Sequence, residues 1–459
     1  MRLSLLLLLI GFQAASQVVE IKDSVTLKPV EYATILSDKP RLYTITNPQG
    51  KADISKFKNS DKILIRSLGY ESKIITYQKI VSDSFRVFLK PSELELDELV
   101  VSANRWQSPS EHTPLQIAVI SPKEAELIQP QTTADLLGSS GKVFIQKSQQ
   151  AGGSPMIRGF ATNRLLYVVD GVRTNTAIFR GGNIQNVINF DPFTIENTEV
   201  ILGAGSVLYG SDAIGGVMNF QTLTPQLSFT DEVMIKGKFN ARYSTANNEQ
   251  TAHFDVNVGW KKWAFVTSFS SWNFDHLKQG KYGPEEYIKP YFVQRIDTID
   301  HVIYQDDPLK QIPTAYAQTN LMQKIRFRPN SNWDVQYGFH YSETSPYGRY
   351  DRHNRTKNGL PRYAEWNYGP QKWMMNNLNL QNFIKTALSD QISVRVAYQN
   401  FEESRISRNF NSDIRNTQIE KVDAYSVNAD IIKAIYDKHS FVYGMEYVIN
   451  QVVSEGYAT

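Results

Sequence analysis

"GAGSVLYGSDAIGGVMNF" (Gly203–Phe220) places five of the chain's 26 glycines in eighteen positions, around one tyrosine and one aspartate. Glycine weakens helices and strands alike, so such density marks backbone that turns tightly or lies close against another surface. A phosphate-cradling loop also gathers glycine, but it needs a Gly-Lys-Ser/Thr closure inside a strand-loop-helix unit, and neither is present here. Asp212 is suited to bonding local amides in such a turn.

Upstream, "TTADLLGSSGKVFIQKS" (Thr132–Ser148) begins with threonines that cap a short helix and runs on into an alternating strand. "SPMIRGFATNRLLYVVDGVRTN" (Ser154–Asn175) adds a strand, a polar tip and the apolar run "LLYVVDG". In order and spacing, the "IRG" of Ile157–Gly159, the "VVDGV" of Val168–Val172 and the glycine-rich ending resemble the plug domain of TonB-dependent outer-membrane receptors. The resemblance implies a mixed α/β plug over residues 107–225, seated inside a barrel, with the closing stretch packed against the barrel wall. It also implies charged plug-to-barrel contacts, for which Arg158, Glu196, Glu199, Tyr209 and Asp212 are the candidates. Two departures from the family pattern, Asn197 after Glu196 and Ala204 in place of a proline, imply partial rewiring of those contacts.

Downstream, residues 226–459 alternate. "AHFDVNVGW" sets Ala252, Phe254, Val256, Val258 and Trp260 on one face, and "NWDVQYGFHYS" does the same with Trp333, Val335, Tyr337, Phe339 and Tyr341. Runs of about ten residues with aromatic ends suit lipid-facing strands with a polar lumen side. Short connections (Lys261, Lys262) and long ones (Asp275–Tyr316, Ser345–Trp373) suit tight periplasmic turns and extended outer loops. The count is about nine strands, the first part of an antiparallel barrel of roughly 22 strands. The expectation is a C-terminally truncated sequence.

Residues 1–16 have the layout of a secretory signal peptide, with Arg2, an apolar run from Leu5 to Phe12 and small residues Ala14 and Ser16. Residues 17–91 carry short β-rich runs between turn signals, which predicts a small β-sandwich. From "IKD" through "NPQGKADI" to "SLGY", this unit resembles the carboxypeptidase regulatory-like domain. The tether 92–106, acidic and then β-branched between Pro91 and Pro109, is predicted to be extended. Within it Asp97, Glu98, Leu99, Val100, Val101, Ser102 and Ala103 resemble the TonB box, which implies β-strand addition to the TonB protein of the inner-membrane energising complex. The fold class expected is mainly β: sandwich, α/β plug and partial transmembrane barrel.

With 49 basic and 46 acidic residues and no basic cluster, the chain has no nucleic-acid footprint. No cysteine is present, which excludes disulfides, thiolate metal sites and a thiol nucleophile. No catalytic motif or metal constellation emerges, and His253, His340 and His353 read as polar strand or loop residues. The chain is therefore expected to be no enzyme, to hold no cofactor, and to sit in outer-membrane lipid with the sandwich and TonB box in the periplasm. The function implied is energised uptake of an iron complex, haem, haemoprotein or ferric siderophore, with glycan import beside a surface lipoprotein and passive docking or signalling as alternatives. Ligand-facing candidates on the plug are Thr162, Asn163, Arg164, Phe179 and Arg180. The loop Ser345–Trp373 resembles a segment of haem, haemoglobin and transferrin receptors, which adds Tyr350, Tyr363, Trp366 and Tyr368.

Overall fold

The computed structural model describes residues 17–67, 70–91, 99–100, 108–109, 116–174, 177–178, 186–435 and 439–459. The chain divides after Glu98 into two compact units. In the first, β1 (Val18–Asp23), β2 (Thr34–Asp38), β3 (Arg41–Ile45), β4 (Lys51–Asp53), β5 (Ile63–Arg66), β6 (Lys73–Ile75), helix α1 (Tyr77–Ser82) and β7 (Arg86–Leu89) make two sheets, ordered β4-β1-β7 and β3-β2-β5-β6. Period-two alternation turns Val19, Ile21, Ile35, Ile63, Ile65 and Leu89 inward, all essentially without exposure, so the predicted sandwich forms around one core.

The second unit opens with a two-residue pair, β8 (Leu99–Val100) against β9 (Ser108–Pro109). The plug follows with β10 (Ile117–Ile120), α2 (Pro122–Ile128), α3 (Thr133–Ser139), β11 (Phe144–Gln146), β12 (Ser154–Ile157), β13 (Phe160–Ala161), β14 (Leu165–Val169), β15 (Val172–Arg173), β16 (Ile195–Ile201), α4 (Ser206–Tyr209) and β17 (Gly216–Thr222). Thr132 caps α3 through a reciprocal box with Asp135. The central sheet runs β10-β16-β17-β14-β15, with β14 parallel to β17 and a small β11-β12-β13 sheet beside it.

The wall comprises β18 (Met234–Ser244), β19 (Glu249–Gly259), β20 (Trp263–Phe274), the loop hairpin β21 (Tyr291–Ile296) and β22 (Ile299–Tyr304), then β23 (Tyr316–Asn330), β24 (Trp333–Thr344), β25 (Tyr347–Gly348), α5 (Tyr350–His353), the pair β26 (Thr356–Lys357) and β27 (Leu360–Pro361), β28 (Tyr363–Asn382), β29 (Gln391–Asn409), β30 (Arg415–Ile435) and β31 (His439–Ala458). Nine long strands pair antiparallel in sequence order, β18-β19-β20-β23-β24-β28-β29-β30-β31. This is the predicted count, in an open sheet. No helix among the described residues is long and apolar enough to cross a membrane, which says nothing of strands. The loop expected over Ser345–Trp373 is shorter than expected, because Tyr363–Lys372 already pairs with β29 across two register shifts that hide the alternation.

Register displays the membrane face directly. Tyr337, Leu378, Val396, Val427 and Tyr447 stand opposite one another across five strands, all more than a third exposed. Toward the long loops, Glu343, Lys372, Glu402 and Lys421 form a row of alternating charge, with Lys372 3.4 Å from Glu343 and 3.8 Å from Glu402. Toward the short turns, Trp263 stacks on Phe327 at 4.1 Å. On β24 the ten steps from Trp333 to Glu343 span about 34 Å, or about 26 Å at a 40° tilt, which matches an apolar band of about 25 Å. The opposite face is polar and covered: His253, Asp334, His340 and Ser342 are each at most 5% exposed.

Candidate functional site

Two places carry candidate function, the plug-to-wall interface and the layer of outer loops. The interface begins with the tip of the hairpin β14–β15. Asp170 and Gly171 both have positive φ, 50° and 81°, the conformation of a tight two-residue turn. The turn points Asp170 into the wall. Its carboxylate lies 2.8 Å from Lys324 Nζ and 3.3 Å from His340 Nε2, and it accepts bonds from the amide and hydroxyl of Thr222 at 2.9 and 2.8 Å. Burial alone would raise its pKa, but Lys324 and His340 outweigh burial and hold the carboxyl well below the usual range. Gly171 is required beside it, since a Cβ there would sit 2.5 Å from Arg395 Nε, and Arg395 is itself committed to Asp430 at 2.7 Å.

A second plug carboxylate, Asp191, receives the Ser270 hydroxyl at 2.5 Å, and Ser270 Oγ is 2.7 Å from His253 Nδ1, whose Nε2 faces Asp255 at 3.2 Å. Serine, histidine and carboxylate are thus in line, yet Ser270 is fully buried and its proton is given to Asp191, so the chain is a structural relay. Here burial prevails and pushes the Asp191 carboxyl above its ordinary value. Amides complete the seating: Gln318 donates to the Ile188 carbonyl at 2.7 Å and Gln399 to that of Arg173 at 2.8 Å. Phe190 packs on Phe220 and Trp373 at 5.2 and 5.3 Å. Between plug and wall lies a polar cavity of about 600 Å³, lined by Asp170, Lys324, Arg326, Asp334, Arg395 and Asp430 among others.

The residues expected to make these contacts bond within the plug instead. Arg158 donates to the Leu202 carbonyl and to Gln116; Glu196 accepts the Thr224 amide; Glu199 accepts from Asn197 and Asn219; Asp212 pairs with Arg173 at 2.9 Å, beside the Tyr209 carbonyl that Arg173 also reaches. The glycine-rich stretch is corrected likewise. A Cβ on Gly215 would lie 2.4 Å from Phe160 Cβ and 2.9 Å from the Arg164 carbonyl, so the close approach is plug on plug. Thr162, Asn163 and Arg164 form a short turn bonded to this stretch through Gly215 N and Arg164 O. The plug segment that reaches the outer loops is Ser148–Ala151, where Gln150 donates to the Asp275 and Thr314 carbonyls. Phe179, Arg180, Asp97, Glu98, Val101, Ser102 and Ala103 lie outside the described residues; Leu99 and Val100 are in β8.

In the loop layer, Tyr350, Trp366 and Tyr368 come together. The Tyr350 hydroxyl donates to the Tyr287 carbonyl at 2.6 Å, and burial raises its pKa to about 12. Arg349 bonds Asp351 at 2.7 Å and the Tyr368 hydroxyl at 3.1 Å, and with Arg352 it lies over the Trp366 ring at 5.2 and 5.4 Å. His353 Nε2 accepts the Trp366 amide at 3.2 Å; burial, reinforced by Lys289, lowers its pKa to about 4. Tyr363 carries Arg362 over its ring at 5.0 Å. Asp170, Asp191, Gln150, Arg349 and Lys289 were not among the sequence candidates. For Asp170 the signal was there: an Asp-Gly turn between two apolar runs is a hairpin tip, although its wall partners were not legible.

Residues 109–217 match the TonB-dependent receptor plug domain. A vitamin B12 transporter BtuB of Vibrio vulnificus (strain CMCP6) is 40% identical over 200 residues, 38% of this chain and 32% of that protein. The vitamin B12 transporter BtuB of Photobacterium profundum is 33% identical over 173 residues, 37% and 28% of the two chains. Among solved structures, the copper transporter OprC superposes with a TM-score of 0.54 at 14% identity, covering 75% of this chain and 49% of that one. The alcaligin outer-membrane receptor FauA from Bordetella pertussis gives 0.54 at 12%, with 79% and 51% covered. The alignments thus span about a third of these curated relatives and about half of these solved structures. A matched plug seated by hairpin and amides against lipid-facing strands places the chain in the family of TonB-dependent outer-membrane receptors.

Proposed function

We propose that the chain supplies the plug and part of the wall of a receptor that takes up a scarce metal chelate, with TonB pulling on Asp97–Ala103 from the periplasm. The observation that carries this reading is the polar seating of the plug around the cavity of about 600 Å³. Ion pairs and amide bonds exchange for bonds to water at small net cost, so such an interface opens without exposing a large apolar core. An iron complex is the leading cargo, through the cation-rich aromatic loop layer of Arg349, Arg352, Tyr350 and Trp366. A corrinoid is the second reading, favoured by the relatives named as vitamin B12 transporters. Neither reading involves catalysis by the protein. The test is uptake of iron-labelled haemin, a ferric siderophore and cyanocobalamin by cells dependent on this receptor. Deletion of Asp97–Ala103 is expected to abolish uptake of the true cargo while leaving its surface binding intact. Uptake that persists after the deletion refutes the TonB mechanism.

A further inference from the structure

The outer loops hold two cations with no counter-charge. Lys289, between the turn Glu285–Tyr287 and β21, is only 4% exposed. Its ammonium lies 5.1 Å over the Tyr291 ring and has no hydrogen bond or ion pair among the described residues. Arg352 rests on Trp366, and its buried Nε likewise has no hydrogen-bond partner. The two belong to one cluster, because the Tyr350 hydroxyl ties α5 to the Tyr287 carbonyl and Lys289 acts electrostatically on His353.

The carboxylates of this layer are committed elsewhere. Asp351 is held by Arg349, Glu365 by Arg408 and Arg415 at 2.9 Å each, and Asp300 by Arg408 at 2.7 Å. His353, with its proton-accepting nitrogen on the Trp366 amide, adds no negative charge. Burying a cation without a partner is costly, and the cost is removed when an anion arrives. Burial also lowers the pKa of Lys289 to about 8, so binding of an anion would draw the amine back to its charged form.

We infer that Lys289 and Arg352 form an anion subsite in the outer loop layer that takes a carboxylate of the incoming chelate, with Trp366 and Tyr291 as its aromatic walls. The inference rests on the chelate-uptake reading and narrows it to carboxylate-bearing cargo, such as a haem propionate or a carboxylate siderophore. An uncharged corrinoid would leave the subsite unused.

The experiment uses the purified receptor in detergent with citrate, haemin and haemin dimethyl ester as probes. Trace acetylation at about pH 8, read by mass spectrometry, compares Lys289 with the exposed Lys281. Citrate and haemin are expected to slow labelling of Lys289 roughly tenfold and leave Lys281 unchanged, in line with a charge-assisted bond. In equilibrium binding, the Lys289→Met/Arg352→Gln variant is expected to lose at least about tenfold in haemin affinity while its weaker affinity for the ester stays the same. Equal labelling of Lys289 with and without each anion overturns the subsite, as does wild-type haemin affinity in the double variant. The uptake reading fails separately: cells that import no chelate refute transport even if citrate protects Lys289, and cells that import haemin through an unprotected Lys289 refute only the subsite.

Discussion

Replacing Asp170 by asparagine is the sharpest test of how the plug is held. The change keeps side-chain shape and leaves an oxygen to accept the Thr222 amide, but it removes the charge facing Lys324 at 2.8 Å. Lys324 is 6% exposed, and its other bond is to the Thr222 carbonyl at 3.2 Å, so its ammonium would remain buried with no counter-ion. Breaking one side of a buried pair costs about 3–5 kcal/mol. Backbone amides of β14 and β17 pair with each other, so their exchange in outer-membrane vesicles reports plug opening. Asp170→Asn is expected to speed that exchange by roughly a hundredfold or more, and Asp170→Asn/Lys324→Met to recover most of it, with a residual loss of about 1 kcal/mol. Acid supplies an independent arm. The folded-state pKa of Asp170 is depressed, so its contribution is full above the unfolded carboxylate value of about 3.9 and is lost as pH falls below it toward the folded value. The wild-type plug should lose this component in that window and the variant should not. A single variant within about 1 kcal/mol of wild type, or a double variant as labile as the single, refutes the ion pair as the anchor.

Asp191 predicts the opposite sign. Its pKa is raised, so its contribution is full below the ordinary carboxylate value and lost as pH rises past the folded one; Asp191→Asn at pH 7 should leave exchange unchanged or slower. Gly215→Ala must displace Phe160 or the Arg164 carbonyl and should cost about 1–3 kcal/mol in thermal unfolding, leaving plug-to-wall bonds intact. Arg408→Met leaves Asp300, which is 4% exposed, without its closest partner; the hairpin Tyr291–Tyr304 should become open to proteolytic nicking while β28–β30 stay protected.

Much of this fold is legible in the sequence because two local signals carry it. Period-two alternation exposes the wall: His253 against Phe254 and His340 against Phe339 sort to lumen and lipid as the pattern requires. Thr132 before Asp135 announces the cap of α3. The interface is not legible in the same way, because its contacts join residues more than a hundred positions apart, Asp170 with Lys324 and Ile188 with Gln318. A lone charge in a motif does not say which neighbour pairs with it. Arg158 and Asp212 were assigned to the wall on that basis, and both are neutralised or bonded inside the plug. The Ser345–Trp373 loop erred for a related reason: bulges at Tyr363/Glu365 and Tyr368/Gln371 shift the alternation, so paired residues read as loop.

The opposite signs at Asp170 and Asp191 bear on how a seated plug can also be movable. A carboxylate that gains from its socket resists removal, whereas one that is held above its ordinary pKa by burial gains on reaching water. Both sit on the face that meets the wall, one at the tip of β14–β15 and one beside Phe190. Hydration from the polar cavity reaches Asp170 first, since Asp170, Lys324 and Thr222 all line it. Water there would weaken the ion pair that anchors the hairpin, and displacement of the plug would then release Asp191 from its unfavourable burial. The apolar contact of Phe190 with Trp373 is left as the element that water cannot replace, and it should set the remaining resistance to opening. On this basis Trp373→Ala, placed on Asp170→Asn, should accelerate plug exchange by more than either change alone, and equal exchange in the single and combined variants would show that the aromatic contact bears no load.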